Sequence, residues 1–183
     1  MVNSTYIDEF VSRFEQLSGK AYRTSSKGEA LATISRLVKE RGEGQTFCTR
    51  QVLEVLETDT TSIHSTLYDV PNDSDGLQVL KLADVAITTV DYGIAETGCL
   101  VELAYAESTR LLSSLSRVHI ALLNTKDMLG KLSELAPILR KAFSKGDSPS
   151  VSLISGPSRT SDIEMKSVLG VHGPHEVHAI LLM

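Results

Sequence analysis

Three stretches constrain the fold more than any other part of the sequence: DVAITTV (84–90), SRVHIALLN (116–124) and EVHAILLM (176–183). Each is a nearly continuous apolar run of strand length, rich in β-branched residues, where a half-exposed strand would alternate apolar with polar. A strand of that kind is buried on both faces, as happens in a parallel sheet covered by helices. Helical patterns lie between and before these runs. Their alternation predicts an α/β protein with a mostly parallel sheet and helices on both faces.

The remaining elements fit that frame. Residues 4–17 place Ile7, Phe10, Val11, Phe14 and Leu17 at helical spacing, with Gly19 beyond the end. KAYRT (20–24) reads as a short strand. Ser26 and Glu29 form a capping-box pair that opens a helix closing at Gly42. QTFCT is a short strand and RQVLEVLE a short helix. Residues 58–76 form a long polar connection with a short strand at 63–67. CLVELA (99–104) and PSVSLISG (149–156) add strands, and MLGKLSELAPILRKAF (128–143) reads as a helix kinked or stopped by Pro137. The 183 residues suit a single domain, 1–183, with an N-terminal helical segment over about 1–45.

Composition narrows the function classes. There are 18 basic and 23 acidic residues, a net charge of −5, and no basic cluster, so nucleic acid is not an expected partner. No apolar run approaches the roughly 18 residues of a membrane span. The opening MVNSTYIDEF lacks a basic stretch followed by an apolar one, so no secretion signal is expected and a cytoplasmic protein is. Two cysteines, Cys48 and Cys99, cannot by themselves ligate an iron–sulfur cluster, which takes four. No nucleophile elbow, P-loop or dinucleotide fingerprint is present. No bound cofactor and no metal site are expected. His172, His175 and His178 have comb-like spacing, but Gly173-Pro174 breaks any helix that would align them.

In α/β sheets, ligands bind where loops leave the carboxyl ends of strands. Three loops are placed there by this reading: 91–98, 155–162 and 170–175. The first, DYGIAETG, offers Glu96 as a general base or nucleophile, with Thr97 and Gly98 beside it. Its other reading is a carboxylate that accepts loop amides and pins the turn. The second, SGPSRTSDIE, sets Gly156, Ser158, Arg159, Thr160 and Asp162 ahead of an expected helix start at Ser161. Arg159 suits a carboxylate or phosphate ligand; pairing with Asp162 or Asp91 is the alternative. The third, GVHGPH, presents His172 as acid, base or donor, next to Gly173.

Taken together, DVAITTVDYGIAETGCLVEL, RVHIALL and VSLISGPSRTSDIEMKSVLGVHGPHEVHAILL closely resemble the LUD domain, and within it the lactate-utilisation protein C (LutC/YkgG) type. The resemblance is strong over residues 84–183. It implies a fold similar to ribose-5-phosphate isomerase, glucosamine-6-phosphate deaminase and CoA transferases. It also implies a part in oxidising L-lactate to pyruvate alongside iron–sulfur partner proteins, with a small carboxylate or phosphorylated ligand at the loops. GIAETGCL looks like the Glu-x-Gly turn that carries the catalytic glutamate of CoA transferases. A transferase or isomerase using Glu96 and a non-enzymatic assembly subunit are the alternatives.

Overall fold

The computed structural model describes residues 4–42, 44–67, 83–144, 146, 148–161, 167–169 and 173–183. In chain order the elements are α1 (Ser4–Gln16), β1 (Lys20–Thr24), α2 (Lys27–Lys39), β2 (Gln45–Cys48), α3 (Arg50–Leu56), β3 (Thr66–Leu67), β4 (Ala83–Thr89), β5 (Tyr92–Ile94), β6 (Cys99–Ala104), α4 (Glu107–Leu115), β7 (Val118–Asn124), β8 (Met128–Leu129), α5 (Leu135–Phe143), β9 (Ser150–Ile154), β10 (Arg159–Ser161), β11 (Ser167–Leu169) and β12 (Glu176–Leu182).

The three diagnostic runs become β4, β7 and β12, neighbours within a six-stranded, all-parallel sheet of order β1-β12-β7-β4-β2-β3. Their side chains divide between two covered faces. Ile87, Ile120, Leu122 and Ile180 pack against Ile34 and Leu37 of α2 and Val52 of α3. On the other face Ala121, Leu123, Ala179 and Leu181 pack against Phe10 and Phe14 of α1. There Ala86 meets Leu112 of α4. Burial on both sides is why these strands lack alternation.

A second sheet, order β8-β5-β6-β9, also covers the α1 face. Leu100 of β6 joins the α1 cluster, while Val101 faces outward to Leu135 of α5. Strands 99–104 and 150–154 therefore belong to this mixed sheet, where β6 and β9 pair antiparallel, and not to the parallel one. A single apolar run does not specify its partner.

Three local expectations change. Residues 128–143 do not form one helix: β8 comes first, then a 3₁₀ turn at Leu132–Glu134, then α5. Pro137 lies in the first turn of α5, where a missing N–H costs no helical hydrogen bond, so it neither kinks nor stops the helix. Where a helix start was expected, Arg159–Ser161 are extended and pair antiparallel with Ser167–Leu169; residues 162–166 lie outside the described residues. The segment between β6 and β7, unassigned from the sequence, carries α4, on which Leu112 and Ser113 are buried.

Candidate functional site

A carboxylate lies between the two sheets. In β6 the inward positions are Leu100, Glu102 and Ala104, exposed by 0%, 1% and 5%. Strand alternation thus drives Glu102 into the interlayer space. Ser113 of α4 donates to its Oε2 at 2.7 Å, and the Thr88 hydroxyl of β4 donates to Oε1 at 3.3 Å. Thr88 Oγ1 also lies 2.9 Å from His119 Nε2 of β7. While Thr88 gives its one proton to an ionised Glu102, it accepts from the ring, which is the Nε2–H tautomer of His119. Its Nδ1 is buried without a partner among the described residues.

Burial dominates the electrostatics. It raises the Glu102 carboxyl to about 7, against the lowering influence of the Ser113 and Thr88 hydrogen bonds; Asp91 adds to the rise and Arg110 opposes it. Burial also lowers His119 to about 4, so its ring is neutral near pH 7. A carboxyl that titrates near neutrality, fixed by two hydroxyls, has the properties of a proton-exchanging group.

Ser113 connects this cluster to a cavity of about 310 Å³. Its walls include Ser114, Ser152–Ser158, Gly173, Pro174 and Val177. The Ser158 amide donates to the Pro174 carbonyl at 2.9 Å, which ties the 155–158 turn to the segment entering β12. Three residues singled out from the sequence, Gly156, Ser158 and Gly173, therefore meet around one cavity. Arg159 and Thr160 follow Ser158 directly and are placed by their backbone in β10. Asp162 and His172 lie outside the described residues.

The location differs from expectation. The 173–175 segment enters β12, so it lies at the amino end of a parallel strand, and the 155–158 turn joins it there. Only the 91–98 loop leaves a carboxyl end of the parallel sheet, that of β4. Glu96, Thr97 and Gly98 are absent from the described cavity wall. The Glu96 amide donates to Gly130 O, and its Oε2 accepts the Leu132 amide at 2.9 Å. The exposed carboxylate thus holds the turn to the 130–132 loop. The Thr97 hydroxyl is buried and lacks a partner among the described residues.

Gly98 and Gly156 have a packing reason to be glycine. Gly98 has φ +64°, and a Cβ there would lie 2.6 Å from Phe14 N. Gly156 has φ +136°, and a Cβ there would lie 2.5 Å from Leu17 O. Both turns close onto the C-terminal end of α1. Gly98→Ala is therefore expected to lose about 2 kcal/mol or more of stability in urea unfolding, from left-handed strain plus a backbone clash. A loss under about 0.5 kcal/mol would contradict this packing account.

No motif singled out Glu102, Thr88 or Ser113, and His119 lies within the apolar run SRVHIALLN. Its 0% exposure places it in the core. The available signal was a glutamate at an inward position of CLVELA. A second cleft, of about 590 Å³, lies at the amino ends of β2, β4, β7 and β12, walled by Arg41, Asp84, Arg117, His175 and Glu176. Arg41 grips Glu176 with two nitrogens at 2.7 and 2.6 Å, and Lys20 reaches the same carboxylate at 2.8 Å. These cations hold Glu176 down to about 2. His178 is buried between Tyr22 and Glu176, while His175 is exposed, so the two do not converge. Among the described residues no helix is long and apolar enough to cross a membrane.

The comparisons with known proteins agree with one another. The LUD domain matches residues 7–182. YkgG of Escherichia coli (strain K12) is 30% identical over 165 residues, 87% of this chain and 71% of that protein. Lactate utilization protein C of Shouchella clausii (strain KSM-K16) is 34% identical over 109 residues, 59% of this chain and 48% of that protein. The Bacillus subtilis (strain 168) protein of the same name is 30% identical over 117 residues, 63% and 49% of the two chains. The chain thus spans about half the length of these two lactate utilization proteins. The fold is similar to the crystal structure of a DUF162 family protein from Deinococcus radiodurans, with a TM-score of 0.69 over 98% of both chains at 16% identity. With a match that spans nearly all of its length, the chain belongs to the LUD domain family.

Proposed function

We propose that this LUD domain serves lactate utilisation by binding a small carboxylate or phosphorylated anion at the cavity walled by Gly156, Ser158 and Gly173. The observation that carries the reading is the similarity to proteins named lactate utilization protein C. The cavity supports it chemically: Ser113, Ser114, Ser152, Ser155 and Ser158 ring it, and Arg159 follows at once. Hydroxyls and a guanidinium are the donors a carboxylate or phosphate needs. Oxidation of lactate removes two electrons, and a chain with two cysteines leaves that step to iron–sulfur oxidoreductase subunits.

A thermal-shift series tests the ligand. L-lactate, pyruvate, a sugar phosphate and CoA are added separately to wild type and to Arg159→Ala. A ligand at about a hundred times its Kd stabilises by about 2.7 kcal/mol, which is roughly a 5–10 °C rise in Tm for a chain of this size. The expected result is such a rise with one of the carboxylates or phosphates, largely lost in Arg159→Ala. No shift of wild type with any of the four would remove the ligand reading.

A further inference from the structure

We propose that anion binding in the Ser113 cavity is coupled to uptake of one proton by the buried Glu102, with the Ser113 hydroxyl as the link. The inference rests on the anion-binding reading above and adds its proton chemistry and ligand class, a small monocarboxylate.

The Ser113 hydroxyl has one proton to give. Ser113 lines the cavity, and its hydroxyl donates to Glu102 Oε2 at 2.7 Å. While Glu102 is ionised, that proton is committed inward, and the hydroxyl has only lone pairs for a ligand. An anion is then repelled twice: by those lone pairs, and by a carboxylate about 5 Å away across one hydroxyl. Protonating Glu102 reverses both effects. The carboxyl then donates to Ser113, whose own proton is released from Glu102 and can turn to the bound carboxylate in competition with the Arg110 carbonyl 3.1 Å away. The balance is one proton from solvent to Glu102 and one anion into the cavity, with no covalent bond to carbon formed or broken.

The groups around Glu102 leave it as the proton's site. Thr88 of β4 has no charge. His119 of β7 is neutral, and its Nε2 lies 2.9 Å from the Thr88 hydroxyl. Arg110 of α4 is paired with Glu107 on its own helix. Asp91, beyond the end of β4, is itself raised by burial and accepts the Leu103 amide at 2.7 Å. The unpartnered Nδ1 of His119 is a second buried polar group in the same cluster, which shows that the layer is not fully satisfied by its own hydrogen bonds. Since Glu102 titrates near 7, its proton is available in the neutral range.

The experiment is isothermal titration of L-lactate and of pyruvate, both fully ionised in this range, in two buffers of different ionisation enthalpy. About one unit above the Glu102 midpoint, wild type is expected to take up about 0.9 proton per anion bound. Its affinity should fall by up to about tenfold per pH unit above neutrality. Glu102→Gln should bind with no linked proton and no such pH dependence. Ser113→Ala is the second variant: weaker binding and smaller uptake support the link, and unchanged binding and uptake overturn it. Wild-type binding without proton uptake, or uptake unchanged in Glu102→Gln, overturns this proposal alone. Failure of wild type to bind either anion overturns it too, and marks the failure as that of the anion-binding reading.

Discussion

Phe14→Ala should cost about 3–5 kcal/mol and lower Tm by roughly 10 °C, the largest expected loss from a single side chain. Phe14 is fully buried and stacks on Phe10 with ring centroids 5.4 Å apart. Its ring fills the space beside Gly19, where a Cβ would lie 2.3 Å from Cε1. Its backbone nitrogen abuts Gly98, and Leu17, one turn on, abuts Gly156. Truncation therefore opens a cavity where α1, the Glu96 turn and the cavity turn all close together. Urea unfolding of the variant measures the stability, with Phe143→Ala as control. Phe143 is 47% exposed on α5, and its loss should stay within about 0.5 kcal/mol. A Phe14→Ala cost below about 1 kcal/mol would mean that α1 is not the seat of these turns. If the cavity binds the anion proposed here, the same variant should weaken that binding as well, because Gly156 loses its backing.

The fold was readable where burial left no alternative. β4, β7 and β12 announce themselves because a strand covered on both faces must be apolar at every position. The same logic misplaced β6 and β9, since an apolar run records burial and not the sheet that buries it. Pro137 misled because its effect depends on where the helix begins, and here α5 begins at Leu135, after a 3₁₀ turn. At the candidate site, Gly98 and Gly156, singled out from the sequence as ligand contacts, also back onto the end of a distant helix. That contact joins residues 14–17 to 98 and 156, and no local pattern encodes it. Glu102 was readable in principle. A glutamate between Leu100 and Ala104 on the inward register of a buried strand has no solvent to reach, and a carboxylate buried in this way has a perturbed pKa, one mark of a functional site.

Glu102→Gln should about double the dependence of stability on pH between about 4.5 and 6.5, and the sign follows from three buried groups. His119 and His178 are each lowered by burial to about 4 from an ordinary 6.5. Unfolding between those values takes up a proton at each, so their stabilisation is complete above about 6.5 and is lost as pH falls toward 4. Glu102 works the other way. Its carboxyl is raised by burial to about 7 from an ordinary 4.5, so the folded state holds a proton that the unfolded state has released. Its contribution therefore declines as pH rises from about 4.5 to about 7, by about 3 kcal/mol in all. Across the shared window the two histidines supply about two protons to the unfolded state and Glu102 about one to the folded state, a net of about one in wild type; Asp91, also raised by burial, acts in the same direction as Glu102 in both proteins. Glutamine keeps the shape and does not titrate, leaving about two. Urea unfolding of both proteins across this range should then show profiles that diverge as pH rises, with the variant gaining on wild type up to about pH 7. Parallel profiles would mean that Glu102 titrates in the same range folded and unfolded, and would overturn this account of its burial between the two sheets.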